Sequence, residues 1–307
     1  MKKLQLGFIL LAMMILAACS MEAPGSSSEE NSGDGGEASG DYTIGFSIST
    51  LNNPFFVTLN EGAEAKAEEL GANLTVVDAQ DNASKQASDI EDLIQQGVDL
   101  IMINPVDSEA VAAAVESANS ANIPVITVDR SAAGGEVVSH IASDNVAGGE
   151  MAGEHLVSIV GEGALVAELE GVPGSSAARE RGEGFNNIAA DSLDVAAKQT
   201  ANFNRSEGLS VMENILQANP DITGVFAHND EMALGALEAI EASGKDIAVV
   251  GFDATDDAVK AVEDGRLDGT IAQKPEMIGE MAVETAVQSL DGEEVEASIP
   301  VELELVQ

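Results

Sequence analysis

From Tyr42 onward, short β-branched runs alternate with longer stretches in which Ala, Glu and Leu recur at helical spacing. That alternation predicts repeated βα units around parallel sheets. Strands are predicted at 43–49, 74–77, 100–103, 125–128 and 137–142, and a second series follows at 164–169, 195–200, 224–227, 248–252 and 269–272. Two comparable series predict an α/β chain of two doubly wound parallel-sheet lobes. Helix starts are marked as well. Asn53 precedes Pro54, a cap followed by proline at the first helical position, and Ser108, Asn145 and Asn229 are placed to cap helices of their own.

The segment before Tyr42 has a different character. Lys2 and Lys3 precede a mostly apolar run over 4–18, which predicts an export signal at 1–18. The run is shorter than the ~20 residues that span a bilayer comfortably. Cys19 is the single cysteine, so no intrachain disulfide is possible, and it follows Leu16, Ala17 and Ala18. This arrangement resembles the lipobox of bacterial lipoproteins, which implies lipidation of Cys19 and anchoring to a membrane through that lipid only. Residues 20–40 are Ser, Gly and Glu with almost no large apolar side chain. Such a stretch buries too little surface to offset its ordering entropy, and it is expected to act as a flexible tether with a reach of about 25 Å.

Composition narrows the partners. A 45% hydrophobic content supplies material for a sizeable core or two domains. Asp and Glu number 54 against 13 Lys and Arg, a net charge of −41, which repels phosphate backbones and anionic headgroups and argues against a nucleic-acid partner. So many carboxylates read as a solvated acidic surface. Salt screens their repulsion, so the melting temperature is expected to rise with salt concentration. A melting temperature that falls as salt is added would contradict this.

Ligands of open parallel sheets bind beyond the carboxyl ends of the strands. After the first predicted strand come Asn53, Phe55 and Phe56, after the third Asn104, and after the fourth Asp129 and Arg130. The second series offers Arg179 and Arg181, Phe203, Asn229, Asp253 and Gln273. A sugar hydroxyl both donates and accepts, so carboxylate, guanidinium and amide groups suit it, and phenylalanine faces suit its apolar C–H surfaces. Adjacent Phe55 and Phe56 lie about 100° apart on a helix, which lets one face a crevice. Each residue alone has a plainer reading, as core phenylalanine, helix cap or turn.

Several stretches together are more specific: Ser49-Thr50-Leu51-Asn52-Asn53-Pro54-Phe55-Phe56, Ile103-Asn104-Pro105, Thr127-Val128-Asp129-Arg130, Ser139-His140-Ile141-Ala142-Ser143-Asp144-Asn145, Ala177-Ala178-Arg179-Glu180-Arg181-Gly182, Asn229-Asp230-Glu231-Met232, Gly251-Phe252-Asp253 and Ile271-Ala272-Gln273. With these, the chain from about Tyr42 to Leu305 resembles the bacterial ribose-binding proteins of the periplasmic binding protein superfamily. The resemblance implies a type I two-lobed receptor that captures D-ribose, without a cofactor, for an ABC permease and its ATPase subunit. Asn53, Asn104, Asp129, Arg130, Arg181, Asn229, Asp253 and Gln273 are then the hydrogen-bonding ligands, with Phe55, Phe56 and Phe203 as stacking walls. It further implies a monomer, hinge crossings near 143–144, 273–274 and 303, and lobes of 41–143 plus 274–302 and 144–273 plus 303–307. Some relatives are also read by a chemotaxis receptor, and related receptors take allose or galactose. Two positions depart from the pattern: Ala254 where relatives often have Gly, and His228 where they have Gln.

Two other classes fit less well. Sugar-responsive repressors reuse this body but begin with a basic helix-turn-helix domain, where this chain has an export signal and an acidic segment. For an enzyme, there is no Gly-x-Ser-x-Gly and no phosphate-binding Gly-Lys-Ser/Thr loop, and the histidines are His140, His155 and His228. Asp129 and Asp253 as a glycoside-hydrolysing pair are equally explained by hydroxyl binding beside arginine.

Overall fold

The computed structural model describes residues 42–307; the predicted export signal, Cys19 and the tether at 20–40 lie outside the described residues. Five strands of the first series, β1 (Thr43–Ile48), β2 (Asn73–Asp78), β3 (Leu100–Ile103), β4 (Val125–Val128) and β5 (Ser139–Ser143), pair in parallel. Five of the second series do the same: β6 (Ala164–Glu170), β7 (Leu193–Thr200), β8 (Gly224–Ala227), β9 (Ala248–Asp253) and β10 (Gly269–Ala272). Two further strands close the sheets. β11 (Ser298–Val301) runs parallel to β5, and β12 (Glu304–Val306) runs antiparallel to β10. The first sheet therefore has the order β11-β5-β4-β3-β1-β2 and the second β12-β10-β9-β8-β6-β7.

Nine helices connect the strands among the described residues: α1 (Pro54–Leu70), α2 (Ala83–Gln96), α3 (Ala112–Ser120), α4 (Asn145–Val160), α5 (Ser176–Ser192), α6 (Arg205–Ala218), α7 (Asp230–Ser243), α8 (Asp256–Glu263) and α9 (Pro275–Leu290). None is long and apolar enough to cross a membrane. The central strands are apolar throughout because helices cover both faces; Leu100, Ile101, Met102 and Ile103 of β3 are all fully buried. Phe46, Leu59 and Ile278 pack one face of the first sheet, and Ile90, Leu93 and Val115 the other. In the second sheet the corresponding layers hold Met212, Leu237 and Val249, and Phe185, Phe226 and Phe252.

The helix starts differ in part from the sequence expectation. Asn53 accepts the Phe55 N–H at 3.0 Å, and Asn229 accepts that of Met232 at 3.0 Å. Ser108 caps nothing: α3 begins later, and Asp107 Oδ1 takes the amides of Glu109 and Ala110 at 2.9 and 2.8 Å, since a carboxylate two residues before a turn outcompetes a hydroxyl. At α4 the cap is Asp144, which accepts the Ala147 N–H at 3.0 Å, and this frees Asn145 for another partner.

The chain passes between the sheets three times, after β5, after β10 and after β11. The last two crossings are the part the periodicity missed. Pro300 breaks the strand signal of 298–301, yet β11 lies at a sheet edge, where a missing N–H is tolerated.

Candidate functional site between the two sheets

The carboxyl ends of both parallel sheets open onto one cleft with about 240 Å³ of empty space, lined by Asn53, Phe55, Phe56, Asp129, Arg130, Ala177, Arg181, Phe203, Asn229 and Asp253. A larger opening of about 780 Å³ adjoins it past Phe55, Asp253 and Gln273. Nine of the eleven ligand and wall residues that the resemblance implies line the smaller cleft. Asn104 stands behind it: its Nδ2 donates to Val128 O at 3.0 Å and to Asp129 Oδ2 at 3.3 Å, and its Oδ1 accepts the Ser49 N–H at 3.2 Å. Gln273 lines the larger opening and donates through Nε2 to Asp253 Oδ1 at 2.8 Å.

Each half contributes a buried arginine and a buried aspartate. Arg130 follows β4, donates through Nη1 to Pro105 O at 3.2 Å and has Nε 3.7 Å from Asp129 Oδ2. Arg181 sits on the first turns of α5, donates through Nε to Asn145 Oδ1 at 2.8 Å and through Nη1 to His228 O at 2.7 Å, and approaches Asp253 Oδ1 at 3.6 Å. The two carboxylates occupy equivalent places, Asp129 just past β4 and Asp253 at the end of β9, and both have left-handed backbones, φ 63° and 119°. Non-glycine residues in that region are strained, and such strain collects where a side chain must be aimed at a ligand.

The rings bracket the charges. Phe55 and Phe56 meet edge to face at 5.2 Å. The Arg130 guanidinium carbon lies 4.9 Å from the Phe56 centroid and 5.3 Å from that of Phe203, whereas that of Arg181 lies 3.9 Å from the Phe252 centroid and 5.9 Å from Phe203. Stacked guanidinium groups of this kind keep their donors aimed edgewise into the cleft. Burial pushes the Asp253 carboxyl well above the usual carboxylate range while the Arg181 guanidinium pulls it back. Burial likewise raises Asp129, with Arg130 and Arg181 opposing.

Three buried atoms at this place have no hydrogen-bond partner within the protein: Asp129 Oδ1, Arg130 Nε and Gln273 Oε1. Two acceptors and one donor, buried and without a partner in the protein, are costly unless something else satisfies them. They ask for a molecule carrying hydroxyls. Among the described residues no group of His, Cys, Asp and Glu is arranged to hold a metal ion. The two flanks also touch directly, Ser108 N–H donating to Gly174 O at 2.9 Å and Ser131 N–H to Ser176 Oγ at 2.9 Å.

Behind the cleft, Asp230 is wholly buried at the start of α7 and accepts from Thr270 Oγ1 at 2.7 Å, Thr255 N at 2.7 Å and Thr255 Oγ1 at 3.1 Å. It thereby ties down the loop that follows Asp253. Burial pushes its carboxyl up to about 7, from about 3.9 in an unfolded chain. In that window the native state holds a proton that the unfolded state lacks, so the stability this group provides below about pH 4 is lost as the pH rises through about 7. Thermal unfolding across that range should show a declining contribution with a slope of up to about 1.4 kcal/mol per pH unit, and Asp230→Asn should flatten it. An unchanged slope in the variant would assign the decline elsewhere.

Several anchoring residues carry no local sequence signal. Phe252 stacks under Arg181, Asn145 and the His228 carbonyl hold its guanidinium, and the Pro105 carbonyl holds Arg130. Asn145 and Phe252 are polar-cap and core residues by pattern, and backbone carbonyls leave no mark in a sequence.

Comparison with known proteins agrees with this geometry. Residues 44–294 match the periplasmic binding protein domain. The chain is 55% identical over 305 residues to the ribose import binding protein RbsB of Bacillus subtilis, covering 99% of each chain, and 56% identical over 266 residues to that of Escherichia coli, covering 86% of this chain and 90% of the relative. Among solved structures, the solute binding protein of Bacillus halodurans C-125 with bound myo-inositol superposes with a TM-score of 0.83 at 34% identity, over 89% of this chain and 96% of that one. The Actinobacillus succinogenes 130z solute binding protein with bound D-allose does so with a TM-score of 0.81 at 31% identity, over 87% and 98%.

Proposed function

This chain belongs to the periplasmic binding protein family, and from that premise we propose that it is the extracytoplasmic receptor of an ATP-driven sugar importer, with D-ribose as its ligand. The observation that carries the proposal is the set of uncompensated buried atoms, Asp129 Oδ1 and Arg130 Nε in a cleft walled by phenylalanine rings and Gln273 Oε1 in the opening beside it. A small polyol satisfies donors and acceptors together and presents apolar faces to the rings. Phe55, Phe56 and Phe203 serve as those faces' walls. Asn53, Asp129, Arg130, Arg181, Asn229 and Asp253 bond the hydroxyls directly, and Gln273 does so beside Asp253. Asn104 orients the Asp129 carboxylate in this reading.

The lobes divide at 143/144, 273/274 and 302/303, so the ligand touches both and stabilises their approach, which a permease then reads. Lipidation of Cys19 and a tether over 20–40 hold the receptor near that permease. The role is capture without chemistry: Asp129 and Asp253 each lie beside an arginine, an arrangement that favours hydroxyl binding over proton transfer to a leaving group.

Titration calorimetry of the dialysed protein with D-ribose tests the assignment and should give saturable one-site binding. Silence with ribose alongside strong heat from D-allose, D-galactose or myo-inositol would move the assignment to that sugar. Recovery of altered sugar after prolonged incubation would make the protein an enzyme.

A further inference from the structure

We propose that His228 is a positioning residue of the sugar site: its ring, fixed as the Nε2–H tautomer between Glu168 and the Gly171 amide, holds the Phe203 wall and sets the place of the main-chain carbonyl that Arg181 donates to. This rests on the reading of the cleft as the sugar site. His228 directly follows β8 and precedes Asn229, and its ring is fully buried. Its Nε2 lies 2.9 Å from Glu168 Oε1, and its Nδ1 is 3.4 Å from the Gly171 nitrogen. A backbone N–H can only donate, so Nδ1 carries the lone pair and the ring proton sits on Nε2, given to the carboxylate. Held at both nitrogens, the imidazole is locked in one tautomer and one orientation.

Glu168, also fully buried, is satisfied from other elements: Asn186 Nδ2 of α5 at 3.2 Å and Lys198 Nζ of β7 at 3.3 Å. The charged groups facing His228 are thus Glu168 and Glu170 of β6 and Arg181 of α5, with Lys198 beyond Glu168. Burial holds the imidazole below its usual value, with Glu168 opposing, so the neutral ring persists at neutral pH.

Two parts of the cleft hang on this residue. Gly171 is the floor under the Phe203 ring, for a Cβ there would lie 2.1 Å from Phe203 Cζ. Asn202 and Phe203 both have left-handed backbones, φ 52° and 58°, so this wall does not adopt its position by default. Thr200 Oγ1 bonds the Gly171 carbonyl at 2.8 Å and joins the same short strand end to the turn that carries Phe203. On the other side, the His228 carbonyl accepts Arg181 Nη1 at 2.7 Å.

The test compares His228→Gln, His228→Asn and His228→Leu for ribose affinity and apo melting, together with ring ¹⁵N chemical shifts of the wild-type protein at neutral pH. Glutamine supplies an N–H for Glu168 and a carbonyl for Gly171, so its affinity should stay within about threefold of wild type. Asparagine is too short to reach both, and leucine reaches neither. Each should bind ribose about ten- to a hundredfold more weakly, the loss of a buried hydrogen bond read as affinity. The wild-type spectrum should show an unprotonated Nδ1. Leucine or asparagine variants that fold and bind at wild-type strength overturn the proposal. So does a protonated Nδ1, which decides the matter even where the leucine variant, with its stranded buried carboxylate, does not fold. Wild-type protein that ignores ribose defeats the functional reading instead, and leaves the tautomer arm to judge this one.

Discussion

Replacing Asp253 with alanine should weaken ribose binding by at least about a hundredfold, the scale set by leaving one member of a buried ion pair alone. Arg181 is buried, stacked on Phe252 at 3.9 Å and 3.6 Å from the Asp253 carboxylate. Without that carboxylate the guanidinium keeps only the neutral acceptors of Asn145 and His228. Gln273 loses the partner its amide meets at 2.8 Å as well, so two of the groups proposed to bind hydroxyls lose their aim at once. Calorimetry on the folded variant measures the effect. Wild-type affinity in Asp253→Ala, with an apo melting transition intact, would remove this side of the cleft from the ligand's contacts.

Gly184→Val should cost more than about 4 kcal/mol of stability, the range reserved for gross core violations, lowering the melting temperature by about 10 °C or more. A Cβ at Gly184 would lie 2.0 Å from the Val146 carbonyl oxygen of α4, and one at Gly149 would lie 2.3 Å from the Arg181 carbonyl oxygen of α5. Neither atom belongs to a side chain that can turn away, so the two helices would have to separate. Because the second of these carbonyls is that of Arg181, the same crossing sets the height of this cleft-lining residue above the second sheet. Gly71 provides the contrast: its φ is 70° but no atom stands within 4 Å of its Cβ position, so Gly71→Ala should cost only about 1 kcal/mol of left-handed strain. Thermal or denaturant unfolding of the two variants separates steric collision from backbone preference. Equal losses would refute the distinction.

Local chemistry makes much of this molecule legible in its sequence. The βα alternation follows from runs such as Leu100-Ile101-Met102-Ile103, which only a doubly covered strand can bury. The strand-end rule placed Asp129, Arg130 and Asp253 where they sit. What stayed out of reach depends on contacts distant in the chain. Asn104 reads as one more strand-end amide, and only the fold turns it toward the Asp129 carboxylate. Glu168 and His228 look like an ordinary strand acid and a lone histidine until β6 and β8 lie side by side and bring them within 2.9 Å. Caps were ambiguous for a local reason: Asp144 and Asn145 are neighbours of equal capping ability, and the demand of Arg181 for an acceptor decided between them.

The three passages between the sheets run side by side: Asp144 and Glu302 border the same groove, and Lys274 reaches Glu302 at 3.6 Å. Three adjacent covalent cables leave one rotation free and resist twisting or sliding of one half past the other. Severing any one of them still leaves two, with the final strands paired to β5 and β10 as before, so a single protease nick at this waist breaks a bond without parting the halves.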